Sequence, residues 1–204
     1  VNGRFIRAWN FHAKDMDTRG VAIIDSMMNL PLLYWASQES GDPRFAALAV
    51  QHADTVAREF VRADGSIAHV IEFDPEIGKK RAEHGGQGFA PGSAWARGTA
   101  WALYGFTLSY GYTRDSRYLK VAENTADFFL SQLGDACLPV WDLERRRGTV
   151  KLGIRLLLRL QRVACWSWQN TRRVRSILRR QRNPFSRACM RPVQHGSRIM
   201  RDCS

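Results

Sequence analysis

The sequence predicts an all-α fold built from repeated helical hairpins, and three observations carry that prediction. Apolar residues recur at helical spacing in four stretches. Stop-and-start signals separate the stretches. A weak internal repeat runs at an offset of 73: Gly41-Asp42-Pro43-Arg44-Phe45 matches Arg114-Asp115-Ser116-Arg117-Tyr118, Ala49 pairs with Ala122, and Ala53-Asp54 pairs with Ala126-Asp127. Hairpins of this kind cannot bury their apolar faces alone and must stack on neighbours, in a ring or a solenoid. Four helices are too few to close a ring, so the expectation is a partial domain.

Between Arg19 and Ser40, Ile23, Met27, Leu30 and Tyr34 stand at helical spacing, which predicts a helix kinked or broken at Pro31. Gly41-Asp42-Pro43 is a stop followed by a start, with Asp42 as N-cap and Pro43 at the first helical position. The second helix then buries Phe45, Leu48, Ala49, His52, Ala53, Val56 and Phe60. Ala63-Asp64-Gly65 ends it in a turn. Ile67, His69, Ile71 and Phe73 alternate with smaller or polar residues, the pattern of a short strand or extended loop. Residues 74–78 form a turn and 79–92 a long loop. A third helix, capped by Ser93, runs to about Tyr110. A fourth starts near Asp115 and turns Tyr118, Val121, Ala122, Thr125, Ala126 and Phe129 to a core.

The net charge of +12 is unevenly spread. Residues 1–144 hold 14 Lys+Arg against 18 Asp+Glu, whereas residues 145–204 hold 17 against one, Asp202. Three of the four cysteines (Cys165, Cys189 and Cys203) lie in that basic tail, and only Cys137 lies before it. The acidic part therefore has no disulfide framework. No run of 18 or more apolar residues occurs, which predicts no membrane span. The chain opens on Val1 without a signal-peptide pattern and reads as starting inside a longer protein. A cytoplasmic setting is expected, with a periplasmic or secreted one left open.

From Arg145 the helical pattern fails. Arginines at 155, 159, 162, 172, 173, 175, 179 and 180 define no apolar face. One reading is a basic arm that binds phosphate backbones by counterion release; it predicts steep salt dependence lost on deleting 145–204. The favoured reading is a frameshift. Codons exist for Gly153–Arg172 such that another frame yields an alanine-rich, acid-bearing helix former beginning Asp-Ser-Ala-Ala-Ala. The expected organisation is thus a helical domain over 1–144 and a basic tail over 145–204 that is not natively folded, with no nucleic-acid partner.

The stretch Gln87-Gly-Phe-Ala-Pro-Gly-Ser-Ala-Trp95-Ala-Arg97-Gly-Thr-Ala-Trp101 carries the most chemistry. Two tryptophans bracket an arginine where a glycine-rich loop enters a helix. Flat aromatic faces suit a sugar ring, and a guanidinium suits a carboxylate. Arg97 and Trp101 are four apart on one helical face, so both can reach one ligand. His12, His52 and His84 have no metal-ligand spacing.

Three segments resemble the unsaturated glucuronyl hydrolases, glycoside hydrolase family 88: residues 23–36, residues 65–78 and residues 87–119. With their flanks they cover most of residues 4–142. The resemblance implies an (α/α)6 barrel, no metal or organic cofactor, and oligosaccharides ending in an unsaturated uronic acid as substrate. It implies Asp25 as general acid and base, protonating carbon-4 of a vinyl ether and activating water for attack at carbon-5. Such chemistry asks for a partly desolvated carboxyl group, and Asp25 lies between Ile23-Ile24 and Met27-Met28. Trp9, His69, Gln87, Trp95, Arg97 and Trp101 are implied as substrate-binding residues. Core packing is an equal alternative for Trp9, and Trp95 either lines the site or packs. The family also has a second essential aspartate upstream of the matched segments. A noncatalytic sugar-binding helical-repeat protein is the rival reading; it would lose nothing in Asp25→Asn.

Overall fold

The computed structural model describes residues 4–10, 17–134 and 139–144, and the basic tail expected over 145–204 lies outside the described residues. The elements run in the order β1 (Val21–Ile23), a 310 turn (Ile24–Met28), α1 (Leu30–Ser40), α2 (Pro43–Glu59), β2 (Val70–Phe73), β3 (Lys80–His84), α3 (Ala96–Thr113) and α4 (Ser116–Leu133). A shorter 310 turn, Thr18–Gly20, precedes β1.

The helical hairpins are present, but the chain is helix-rich rather than all-α. A three-stranded antiparallel sheet, β1-β2-β3 with β2 central, accompanies the helices. Ile71 pairs with Ala22 on one side and with Glu83 on the other. β3 corrects the long loop expected over 79–92. Its sequence, Lys-Arg-Ala-Glu-His, has no β-branched or large apolar residue, so neither propensity nor alternation marks it. Its charges suit an edge strand, where they discourage pairing with another chain.

The expected helix over 19–40 is also corrected. Its first half is β1 and the 310 turn, and Pro31 stands in the first turn of α1 instead of breaking a helix. Proline is at ease there because the first N–H groups of a helix have no intrahelical acceptor. α2 starts as expected: Asp42 accepts a hydrogen bond from the Arg44 N–H at 2.9 Å, and Pro43 follows it. Its buried stripe is Ala49, His52, Ala53, Thr55 and Val56, with Phe60 just beyond. Phe45 and Leu48, expected inside, are 36% and 52% exposed, because the stripe runs on past the elements that cover it. α4 begins as expected at the Asp115 cap and buries Tyr118, Ala122, Thr125, Ala126 and Phe129, with Val121 partly buried.

α3 is the centre of the packing. It lies against α4, α1, α2 and the 310 turn, and is buried on nearly all sides, including Ala100, Trp101, Ala102, Leu103 and Phe106. Two glycines seven apart let the 310 turn seat directly on it. A Cβ at Gly98 would stand 3.1 Å from the Ile24 side chain, and one at Gly105 would stand 2.6 Å from Met27. Ile24 and Met27 are fully buried there. Each such burial is worth about 2 kcal/mol, and together they fix the two residues between them, Asp25 and Ser26.

Candidate functional site

Asp25 is held by main chain as well as by its neighbours' burial. The Ile24 N–H donates to the His69 carbonyl at 3.0 Å, joining the 310 turn to the segment that leads into β2. This bond brings two side chains together: Asp25 Oδ2 lies 3.3 Å from His69 Nε2. Oδ2 is buried and makes no aligned hydrogen bond among the described residues, although the Asp25 side chain as a whole is 26% exposed. The carboxylate therefore has one open side and one acceptor oxygen still unsatisfied. An incoming hydroxyl or water can be held on the exposed side of the carboxylate.

His69 is 94% buried and is gripped from its other edge. Its Nδ1 accepts the Gln87 main-chain N–H at 2.8 Å, and the Gly85 carbonyl lies 3.3 Å away. Its ring packs on Trp95, with centroids 4.3 Å apart. The Arg97 guanidinium lies over the Trp95 ring, 4.6 Å from its centre, and donates to the Gln87 side-chain oxygen. Five of the residues singled out from sequence, Asp25, His69, Gln87, Trp95 and Arg97, thus form one continuous chain of contacts. Trp101, one turn along α3, is 93% buried, and its indole N–H has no partner among the described residues. Trp9 is partly buried in the segment before the first 310 turn, where the Ala8 N–H donates to the Val21 carbonyl at 2.9 Å.

The glycine-rich loop that carries Gln87 is fastened from two directions. Asp142, 1% exposed, accepts the Phe89 N–H at 2.9 Å and the Ser93 hydroxyl at 2.7 Å, both on Oδ2. Main-chain bonds from Ala96 to Trp141 and from Leu143 to Ala94, at 3.0 and 2.8 Å, hold that aspartate in place. On the other side Glu83 accepts from Arg62 and from the Gly92 N–H. Ser93 is therefore a loop fastener and not the cap of α3, which starts after Trp95 with no side-chain cap.

Sequence reasoning missed three contributors. Asp142 gives no local signal, because its partners lie some fifty residues earlier. Gly86 is marked only by the glycine run; with φ +57, a Cβ there would stand 2.3 Å from His69 Nδ1. His52 was legible as a buried residue of α2 but not as a ligand of the site's support. Its Nε2 lies 2.7 Å from the Ser26 hydroxyl, and its Nδ1 accepts the Ile6 N–H at 2.9 Å. Burial pushes its pKa down to about 4. Among the described residues no cluster of three His, Cys, Asp or Glu could hold a metal ion, and no helix is long and apolar enough to cross a membrane.

No family model matches the sequence. Individual proteins do. An unsaturated glucuronyl hydrolase of Formosa agariphila is 43% identical over 139 residues, 67% of this chain and 34% of that protein. An unsaturated chondroitin disaccharide hydrolase of Streptococcus pyogenes is 38% identical over 141 residues, 69% of this chain and 35% of that protein. The crystal structure of a Bacillus unsaturated glucuronyl hydrolase, described as responsible for glycosaminoglycan degradation, superposes with a TM-score of 0.76 at 29% identity. It covers 93% of this chain and 48% of that one. A Streptococcus agalactiae variant complexed with dGlcA-GalNAc6S superposes with a TM-score of 0.63 at 30% identity, covering 73% of this chain and 40% of that one. The chain thus spans about a third of the length of the curated relatives it matches.

Proposed function

Over about two thirds of its length this chain is homologous to unsaturated glucuronyl hydrolases, and we propose that it forms part of a glycoside hydrolase of that kind. The reaction is release of a 4,5-unsaturated uronic acid from the non-reducing end of an oligosaccharide. The helical hairpins are read as a segment of an (α/α)6 barrel. Glycosaminoglycan disaccharides, the substrates named for several relatives, are the substrate class to try first.

The observation that carries this reading is the placement of Asp25. Among the described residues its carboxylate lies 3.3 Å from His69, whose ring packs on Trp95 and through it reaches Arg97. As general acid, Asp25 gives its proton to carbon-4 of the vinyl ether. As general base it then takes a proton from the water that attacks carbon-5, and the hemiketal so formed collapses with loss of the glycosidic bond. Hydrating the double bond first distinguishes this route from two-carboxylate glycosidases. Arg97, steadied on Trp95 and by Gln87, faces the uronate carboxylate as a planar donor fork. His69, Gln87, Trp95 and Trp101 supply hydrogen bonds and ring contacts to the sugar, and Trp9 an outer aromatic surface.

The test is spectroscopic. An unsaturated uronyl disaccharide loses its ultraviolet absorbance when the double bond is hydrated. Asp25→Asn is expected to slow that loss at least 100-fold, roughly the lower bound for removing a general acid–base, while leaving disaccharide binding intact. Equal rates in the two proteins would remove Asp25 from the mechanism. Binding without turnover in the unsubstituted chain would favour a sugar-binding role for this segment.

A further inference from the structure

We propose that the glycine-rich loop is a tautomer lock: the main chain at Gly86-Gln87 keeps the His69 proton on Nε2, the ring nitrogen that lies beside Asp25. A backbone N–H can only donate, so the 2.8 Å bond from Gln87 requires a lone pair on Nδ1. The proton of the neutral ring then sits on Nε2, and that atom is 3.3 Å from Asp25 Oδ2. The opposite tautomer has its own partner in place, the Gly85 carbonyl 3.3 Å from Nδ1. The shorter bond, from an obligatory donor, decides between them.

Gly86 is what admits the lock. Its φ of +57 turns the Gln87 N–H toward the imidazole, and a Cβ would meet Nδ1 at 2.3 Å and Cε1 at 2.7 Å. Asp142 acts further back, as a positioning residue, by holding Phe89 and Ser93 and with them the path of the loop. The side chain of Gln87 takes no part, because it is engaged by Arg97. The consequence for chemistry rests on the hydrolase reading. A proton fixed on Nε2 gives the Asp25 carboxylate a donor after it has released its own proton, and no acceptor that would compete for that proton before. At 3.3 Å the two atoms are close but not aligned as a hydrogen bond, and such contacts tighten when substrate binds.

The experiment is 15N NMR of the full chain labelled at histidine, at a pH of about 8 where an ordinary imidazole is neutral. His69 is assigned by its disappearance in His69→Gln. The lock predicts a pyrrole-type nitrogen at Nε2 and a pyridine-type nitrogen at Nδ1. Gln87→Ala, which keeps the main-chain N–H, is expected to preserve that pattern. Gly86→Ala is expected to lose it. A pyrrole-type Nδ1 in the unsubstituted chain overturns the proposal outright, whether or not the variants fold, and so does an unaltered pattern in Gly86→Ala. No substrate is present in this measurement. Its failure would therefore leave the hydrolase reading standing, and failure of the absorbance assay would leave the lock standing.

Discussion

His52 is a residue whose environment strongly constrains its charge. It is fully buried, bonded through both ring nitrogens, and desolvation depresses its pKa to about 4 from 6.5. The unfolded chain takes up a proton as pH falls below about 6.5, and the folded chain refuses it until about 4. The contribution to stability is thus complete above the unfolded value and is lost as pH falls toward the folded one. It amounts to on the order of 3 kcal/mol. Asp42 and Asp115, held below the ordinary carboxylate range by hydrogen bonds from Arg44 and Arg117, make their losses lower down, so they do not mask it. Urea midpoints measured between pH of about 7 and 4.5 should fall steadily, and His52→Gln should flatten that slope. An equally steep fall in the variant would assign the effect elsewhere. Because the Ser26 hydroxyl links His52 to the turn that holds Asp25, acid should loosen that turn early.

At the scale of elements, the repeat read from the sequence is a repeat of helix starts. Asp42 and Asp115 each accept the main-chain N–H of the arginine two residues on, and each is clasped by that arginine's guanidinium. Asp17 and Arg19 make the same clasp at the first 310 turn, a third occurrence with no helix long enough to announce it. Exposed ion pairs of this sort add little, so the worth of the motif is the cap, about 1 kcal/mol each. The residue before each helical cap is left-handed: Gly41 at φ +70 and Arg114 at φ +60. Arginine tolerates that conformation poorly. Arg114→Gly should therefore raise stability by about 1 kcal/mol, read as a higher urea midpoint at unchanged slope; a lower midpoint would mean that Arg114 contributes more through its stacking on Tyr110 than it costs in backbone strain. Caps and helix stripes were legible because they are local. β3 was not, since Lys80–His84 becomes a strand only through β2. The end of the α2 stripe was not, since which turns are covered depends on neighbours. Of the candidate site, the aromatic and charged residues were legible. The way they meet was not, because it depends on a main-chain bond from Ile24 to His69 across forty-odd residues.

In the whole molecule, burial is uneven. Leu32 and Trp35 on α1 are 64% and 51% exposed, and Leu48 on α2 is 52% exposed. An apolar face of this kind suits a helical hairpin that stacks on further hairpins. Asp142 is the tie that spans the greatest stretch of chain to reach the site. Asp142→Ala would remove the acceptor of the Phe89 N–H and one of the two acceptors of the Ser93 hydroxyl, and cost about 2 kcal/mol. Amide hydrogen exchange should then speed up across residues 87–93 while α4 keeps its protection; unchanged exchange in the loop would show that the Arg62–Glu83 side suffices to hold it.

The spacing of that tie also sets an order of events during synthesis. Phe89 leaves the ribosome 53 residues before its acceptor, Asp142. At the usual pace of translation that is a wait of about 3 to 10 seconds. In that interval the 310 turn, β1 and β2 have all been made and can pair, while the glycine-rich loop still lacks one of its two anchors. The turn that holds Asp25 and the sheet beside it can therefore form before the glycine-rich loop is latched against them.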